Sequence, residues 1–255
     1  GVRSMRKDRA VGMRPNERSW PRRWAVGGML AILAATAGLG VSAQEPKQAP
    51  SNPVGAPAWN TKTSQEPQIA GLTLDPKQLE TVKRVSAYFN DLQTMRGTFV
   101  QTTSDNKRMR GKFFVMKPGR LRFEYNLPSK QLILADGRQL AIQDLDLGTD
   151  DRRSLDETLF RILLKKDVDL MRDARILDLQ ESDDLIVIQI QDKGPESSGR
   201  IKLFMAKGTA LELKEWVTND AQGETRVELA SLVKGEDLDV GLFKIESPSV
   251  KKPGQ

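Results

Sequence analysis

Leu79, Val82, Val85, Ser86, Phe89 and Leu92 recur at steps of three and four residues. That spacing puts them on one helical face, which must cover something apolar. The helix is expected to start at Leu74-Asp75-Pro76, with Asp75 as its cap and Pro76 in its first turn, and to run to about Leu92. After Met95 the period changes to two. Ten strands are expected at 97–103, 110–116, 120–126, 131–135, 139–144, 176–180, 185–191, 199–206, 211–219 and 225–233. Turns are marked by Pro118-Gly119, Asp136-Gly137, Lys193-Gly194-Pro195, Lys207-Gly208 and Gln222-Gly223, so successive antiparallel pairing should follow. One interruption is helical. Asp156 is placed to cap a segment with Thr158, Leu159, Ile162 and Leu163 as its apolar stripe, and a second short helix is expected near Val168 to Met171. Helices set inside a meander cover one face of the sheet, so the fold class is mainly β with α.

The strands also indicate what is covered. In Arg120-Leu-Arg-Phe-Glu-Tyr125, alternation turns Leu121, Phe123 and Tyr125 to one side and Arg120, Arg122 and Glu124 to the other. Phe113 and Val115, Leu132 and Leu134, Leu140 and Ile142, Ile186 to Ile190, and Ile201, Leu203 and Met205 continue the pattern. Such a face serves as an ordinary β core, which composition favours, or as the lining of a lipid cavity. Periodicity does not separate the two.

Charge narrows the function classes. The net charge of +6 lies wholly in residues 1–43, where eight basic side chains face Asp8 and Glu17; the remainder carries 32 basic and 32 acidic groups. A neutral body offers no field for phosphate backbones, so nucleic acid is not expected as a partner. Arg22-Arg23 precedes an uncharged apolar run from Trp24 that ends in Val41-Ser42-Ala43. This is the layout of a cleavable signal peptide, preferred over a membrane anchor because the run is rich in Ala and Gly and ends small-x-small. Twin-arginine export is disfavoured by Pro21 and by the missing Phe-Leu. No Cys follows the leader to be lipidated, so the mature chain is expected to be soluble. Residues 44–71 hold Pro46, Pro50, Pro53, Pro57 and Pro67 among Gln, Ser and Asn, and read as a disordered tether.

The sequence has neither Cys nor His, which removes the usual nucleophiles, neutral-pH acid-base groups and zinc ligands. Asp144-Leu-Asp-Leu-Gly-Thr-Asp150 resembles a calcium loop, but its Gly stands at the fifth position and Leu155 stands where a bidentate Glu is needed. Asp150-Asp151 and Asp183-Asp184 are adjacent pairs that an extended chain turns to opposite faces. No metal, cofactor or catalytic residue is expected, and the chain does not read as an enzyme.

Three segments carry a resemblance in order: Met95-Arg-Gly-Thr-Phe-Val-Gln101, then Gly111-Lys-Phe-Phe-Val-Met-Lys-Pro-Gly-Arg-Leu-Arg-Phe-Glu-Tyr125, then Gln131-Leu-Ile-Leu-Ala-Asp-Gly-Arg-Gln-Leu140. Together they resemble the outer-membrane lipoprotein carrier protein (LolA) family, clearly over about 78–165 and more weakly to 248. The resemblance implies an unclosed, strongly curved antiparallel β-barrel, a half-barrel, spanning 72–250, with helices on its concave face and a short tail at 251–255. It implies a monomeric periplasmic shuttle that receives acylated lipoproteins from an inner-membrane ABC exporter and passes them to an outer-membrane receptor. The cavity set is then Leu121, Phe123, Tyr125, Leu132, Leu134, Leu140 and Ile142 from the strands, with Leu159, Ile162 and Leu163 from the insertion. The family's basic residue before its Pro, which holds the helical lid, maps to Lys117, where Lys lacks the planar fork of Arg. A family aromatic near Ala141 is missing. The competing reading is a lipid-binding periplasmic sensor or regulatory module of the same fold.

Overall fold

Helix α1, Pro76–Asp91, begins where its cap is. In the computed structural model, which describes residues 71–193, 199–220 and 223–249, the Asp75 carboxylate accepts a hydrogen bond from Gln78 N (2.8 Å). The Gln78 side chain in turn accepts one from Asp75 N (3.0 Å). This reciprocal box satisfies two of the groups that a helix start leaves open. Val82, Val85 and Phe89 are buried, as is Leu92 just past the last turn. The expected leader at 1–43, the tether except for Gly71, the turn after Lys193 and the tail at 251–255 lie outside the described residues. All described residues belong to one compact unit, Ala49–Gln255.

Eleven strands form a single antiparallel sheet: β1 Thr94–Thr102, β2 Arg108–Met116, β3 Arg120–Tyr125, β4 Gln131–Asp136, β5 Gln139–Asp144, β6 Thr149–Ser154, β7 Ala174–Glu181, β8 Leu185–Asp192, β9 Arg200–Lys207, β10 Leu211–Asp220 and β11 Gly223–Lys234. Their order is β6-β5-β4-β3-β2-β1-β11-β10-β9-β8-β7. Two meanders therefore meet where the first strand pairs with the last, and β6 and β7 remain as the two edges. The chain between those edges carries a 3-10 turn at Leu155–Glu157, helix α2 at Phe160–Leu163 and helix α3 at Leu170–Asp173. Asp156 sits inside the 3-10 turn and does not cap α2, whereas Asp169 caps α3 by accepting from Arg172 N (3.1 Å). The architecture is an unclosed, curved antiparallel half-barrel with its helices on the inner face.

β6 is the strand that alternation does not predict. Its sequence Thr-Asp-Asp-Arg-Arg-Ser has no apolar face, and no residue in it is fully buried. An edge strand needs only to satisfy β5 on one side, and charge along its free side discourages pairing with another chain.

The curvature is built where two aromatic side chains lie over two glycines. In the β1–β2 register Gly97 stands opposite Phe113, and Phe99 opposite Gly111. A Cβ placed on Gly111 would lie 2.0 Å from the Glu124 carbonyl oxygen and 2.7 Å from the Phe99 ring; on Gly97 it would lie 3.0 Å from the Phe113 ring. Each ring occupies the space the opposite residue leaves, which lets β1, β2 and β3 bend tightly around the core. Phe99, Phe113, Phe123 and Tyr125 continue as one set of ring contacts on that face, with centroids 5.0–5.5 Å apart.

Gly111→Ala is therefore expected to destabilise the fold by about 1–3 kcal/mol or more, because the obstacle is backbone rather than a movable side-chain end. A lowered urea midpoint at unchanged slope would show it; an unchanged midpoint would contradict this account of the curvature.

Candidate functional site

Strand register decides which apolar residues share a face. Leu121 pairs with Ala135 and Phe123 with Ile133, and these pair in turn with Leu140 and Ile142 of β5. The inner face of this half is thus Leu121, Phe123, Ile133, Ala135, Leu140 and Ile142. Leu132 and Leu134 stand opposite Glu124 and Arg122, on the outer face, and the expectation that they join the cavity set is corrected. The run Leu132-Ile-Leu-Ala135 has no polar residue within it to mark alternation, so its parity is hidden in the sequence. Leu134 is 1% exposed for a separate reason: the C-terminal segment crosses the outer face. There Arg122 Nη1 donates to Leu242 O (2.9 Å), Gln143 Nε2 donates to Glu246 O (2.6 Å), and Phe243 of the 3-10 turn Val240–Phe243 is buried.

Inside, α1, the 155–173 segment and the sheet enclose a wholly apolar cavity of about 50 Å³. Leu121, Phe123 and Leu163 line it. Phe89, Leu92, Met95, Phe113, Val115, Phe160, Leu203, Trp216 and Leu229 line it as well. Tyr125, Leu140, Leu159 and Ile162 are buried in the cluster around it, and Ile142 packs partly buried against that cluster. The contribution of β9–β11 and of α1 was visible as periodicity but not as one place. Only the β1–β11 pairing brings Trp216 within ring contact of Phe123 (6.0 Å).

Polar groups hold the cover on this apolar interior. Lys117, 8% exposed, donates from Nζ to the Phe89 carbonyl (2.6 Å), one of the open acceptors at the C-terminal end of α1, where a cation is also favoured by the helix dipole. Burial pushes the Lys117 ammonium below its ordinary value, while Asp167 and Asp91 act to raise it. Lys117 thus secures α1. The 155–173 segment is fastened next door and beyond: Gly119 N donates to Leu164 O (2.8 Å), and Leu155 N to Arg138 O (2.9 Å). Asn90 joins the two parts of the cover, donating to Val168 O (2.8 Å) and accepting from Val168 N (2.7 Å), and Ser86 Oγ accepts from Leu170 N (3.1 Å). Within α2, Arg161 Nε donates to Asp192 Oδ2 (2.6 Å), where the Asp192 side chain is fully buried.

The opening turns of α1 are held through Glu181 at the end of β7. Its carboxylate accepts from Thr81 Oγ1 (2.6 Å), Arg84 Nη2 (2.9 Å) and Lys207 Nζ (3.0 Å). The Thr81 hydroxyl first, then Arg84, hold its pKa down at about 2, below the ordinary 4.5.

The fold is thus a half-barrel whose apolar inner face is covered by helices and fastened by hydrogen bonds to a few backbone groups. Residues 90–246 match the family described as outer membrane lipoprotein carrier protein LolA, and the chain belongs to that family. It is 29% identical over 189 residues to an outer-membrane lipoprotein carrier protein of Halorhodospira halophila, covering 69% of this chain and 86% of that one. It is 26% identical over 182 residues to the protein of the same name from Methylococcus capsulatus, covering 68% and 87%. A crystal structure of a LolA superfamily protein from Nitrosomonas europaea is similar at 10% identity and a TM-score of 0.38, over 66% of this chain and 98% of that one.

The Glu181 cluster carries a pH signature. Because its folded pKa is depressed, its contribution to stability is full above the unfolded value of about 4.5 and is lost as pH falls toward about 2. The native protein should be more stable than Glu181→Gln at pH about 6, and the two unfolding midpoints should converge by pH about 2. Midpoints separated by the same amount at both pH values would contradict the role given to Glu181.

Proposed function

We propose that this protein is a periplasmic carrier that accepts the acyl chains of lipoproteins from an inner-membrane ABC exporter and delivers them to an outer-membrane receptor. The observation that carries the reading is the wholly apolar cavity beneath a polar-strapped helical cover, in a chain whose relatives are named outer-membrane lipoprotein carriers. We assign the acyl-binding surface to Leu121, Phe123, Tyr125, Leu140, Ile142, Leu159, Ile162 and Leu163, and add Phe113 and Trp216. Lys117 is the transfer residue.

The size of the cavity supports a cycle of opening and closing. A pocket for a small ligand takes about 300–1,000 Å³, against about 50 Å³ here, so cargo enters only as the cover separates from the sheet. Each acyl methylene gains about 0.8 kcal/mol on leaving water, on the order of 10 kcal/mol for one long chain. Cargo therefore does not escape into solvent and passes directly between hydrophobic surfaces. Opening exposes Val82, Val85, Phe89 and Leu163, all buried in the closed form. The loaded carrier consequently keeps a drive to close, which weakens its hold relative to a receptor without that drive.

Protein isolated from periplasm without detergent should carry acylated proteins detectable by native mass spectrometry, and depletion should strand lipoproteins in the inner membrane. Normal lipoprotein sorting after complete depletion would overturn the proposal.

Lys117→Leu removes the strap on α1 and with it part of the drive to close. Its cost in stability should be about 1–2 kcal/mol, that of one buried acceptor left unpaired, while cargo is retained and transfer in a reconstituted assay slows by about tenfold. Lys117→Arg keeps a donor at this position and should retain transfer; equal rates for the native protein and Lys117→Leu would remove Lys117 from the mechanism.

A further inference from the structure

At the end of β1 remote from Lys117, the inner face changes character. Gln101 lies six residues beyond Met95, about 20 Å along the strand. Gln101 and Trp216 both stand opposite Val227, one from β1 and one from β10, and the next pair along the same face is Thr218 with Thr225. Gln101, Trp216 and Thr218 are 0%, 6% and 2% exposed. Gln101 Nε2, Trp216 Nε1 and Thr218 Oγ1 are nonetheless without a hydrogen-bond partner among the described residues. Buried polar atoms in folded proteins are nearly always paired, so three in one neighbourhood ask for a ligand.

The chemistry of that ligand follows from the donors. Tyr125 OH donates to Gln101 Oε1 (2.7 Å), which turns the amide NH₂ away from Tyr125; reversing the amide would only exchange one unpaired atom for another. Indole is a donor alone. Strand separation puts the Gln101 and Trp216 backbones about 10 Å apart, with Val227 paired to both between them, so the unpaired groups share one neighbourhood of the inner face. Trp216 also lines the apolar cavity. None of Gln101, Tyr125, Trp216, Thr218, Thr225 or Val227 is charged, and burying an ion beside them would be unfavourable. The subsite therefore suits a neutral acceptor attached to a long apolar chain.

We propose that Gln101, Trp216 and Thr218 form a polar subsite for the carbonyl oxygens of the ester or amide linkages through which acyl chains are attached. This rests on the lipid-carrier reading and deepens it: the protein would read the linkage as well as the chain.

The test compares three soluble probes for displacement of a fluorescent fatty acid from the full chain: dioctanoylglycerol, dioctylglycerol diether, and an N-octanoyl amide. The diether has the same chain length and no carbonyl. The ester should bind about five- to tenfold tighter than the diether, the gain of about one hydrogen bond, and the amide shows whether an N-acyl linkage is read equally. In Trp216→Phe and Thr218→Val the ester-to-ether ratio should fall toward one, and the ratio cancels whatever packing each variant loses. Both variants remove a buried unpaired group, and their thermal midpoints report folding directly. Equal binding of ester and diether, or a ratio that survives both substitutions, would overturn the subsite and leave these donors to buried water. Failure of every probe to displace the fatty acid would instead bring down the lipid-carrier reading, and the subsite with it.

Discussion

The connection from β6 to β7 has to cross the mouth of the barrel. The sheet joins its two meanders at β1–β11, so its free edges belong to strands that are consecutive in sequence. The segment 155–173 between them has no route except over the opening. The feature that leaves the barrel unclosed thus also supplies part of its cover. The cover must be apolar beneath, since it spans Leu121, Phe123 and Ile133, and Leu155, Leu159, Ile162 and Leu163 meet that demand. α1 reaches the same face from the other side, its direction set by the Asp75 cap and by Leu92 leading straight into β1.

Two kinds of force then act on one interface. Apolar burial is large and non-directional, and draws α1 and 155–173 onto the sheet. The hydrogen bonds from Lys117, Asn90, Ser86 and Gly119 are individually modest but specify where each helix end lies. Their partners on the cover are largely backbone groups: the carbonyls of Phe89, Leu164 and Val168, and the amides of Val168 and Leu170. Such straps can be replaced by water once the cover lifts, whereas the exposed apolar area cannot be compensated. In the cycle proposed above, closing is accordingly driven mainly by the core, while the straps add a smaller share of that drive and fix where each helix end lies.

Legibility in the sequence followed the same division. The α1 face, the Asp75 cap, ten of the eleven strands and the helical interruption were readable because each leaves a period or a turn residue. β6 was not, since an edge of Asp and Arg carries no apolar signal. Leu132 and Leu134 were assigned to the wrong face because an uninterrupted apolar run has no parity until a partner strand fixes it. Lys117 is singled out only by the resemblance, and its partner, the Phe89 carbonyl, is a backbone atom that leaves no mark in the side-chain pattern. Asn90 and Ser86 were missed as fasteners for that reason too. Trp216 needed the β1–β11 pairing, the longest-range strand pairing among the described residues, before it could be placed beside Phe123.

The aromatic and glycine arrangement ties curvature to binding. Because Phe99 lies over Gly111 and Phe113 over Gly97, the rings that line the interior are also the wedges that bend the sheet. On the carrier function proposed above, a side chain in that set could not move aside for cargo without disturbing the packing that lies over Gly97 and Gly111. Room for an acyl chain would then have to come from the other wall, where α1 and 155–173 rest on the rings without being hydrogen-bonded into the ladder. On that proposal the half-barrel would keep its shape through loading, and the work of opening would fall on the helices that Lys117, Asn90 and Arg161 hold. A carrier built this way stores its drive to release in the same apolar contacts that keep it folded when empty.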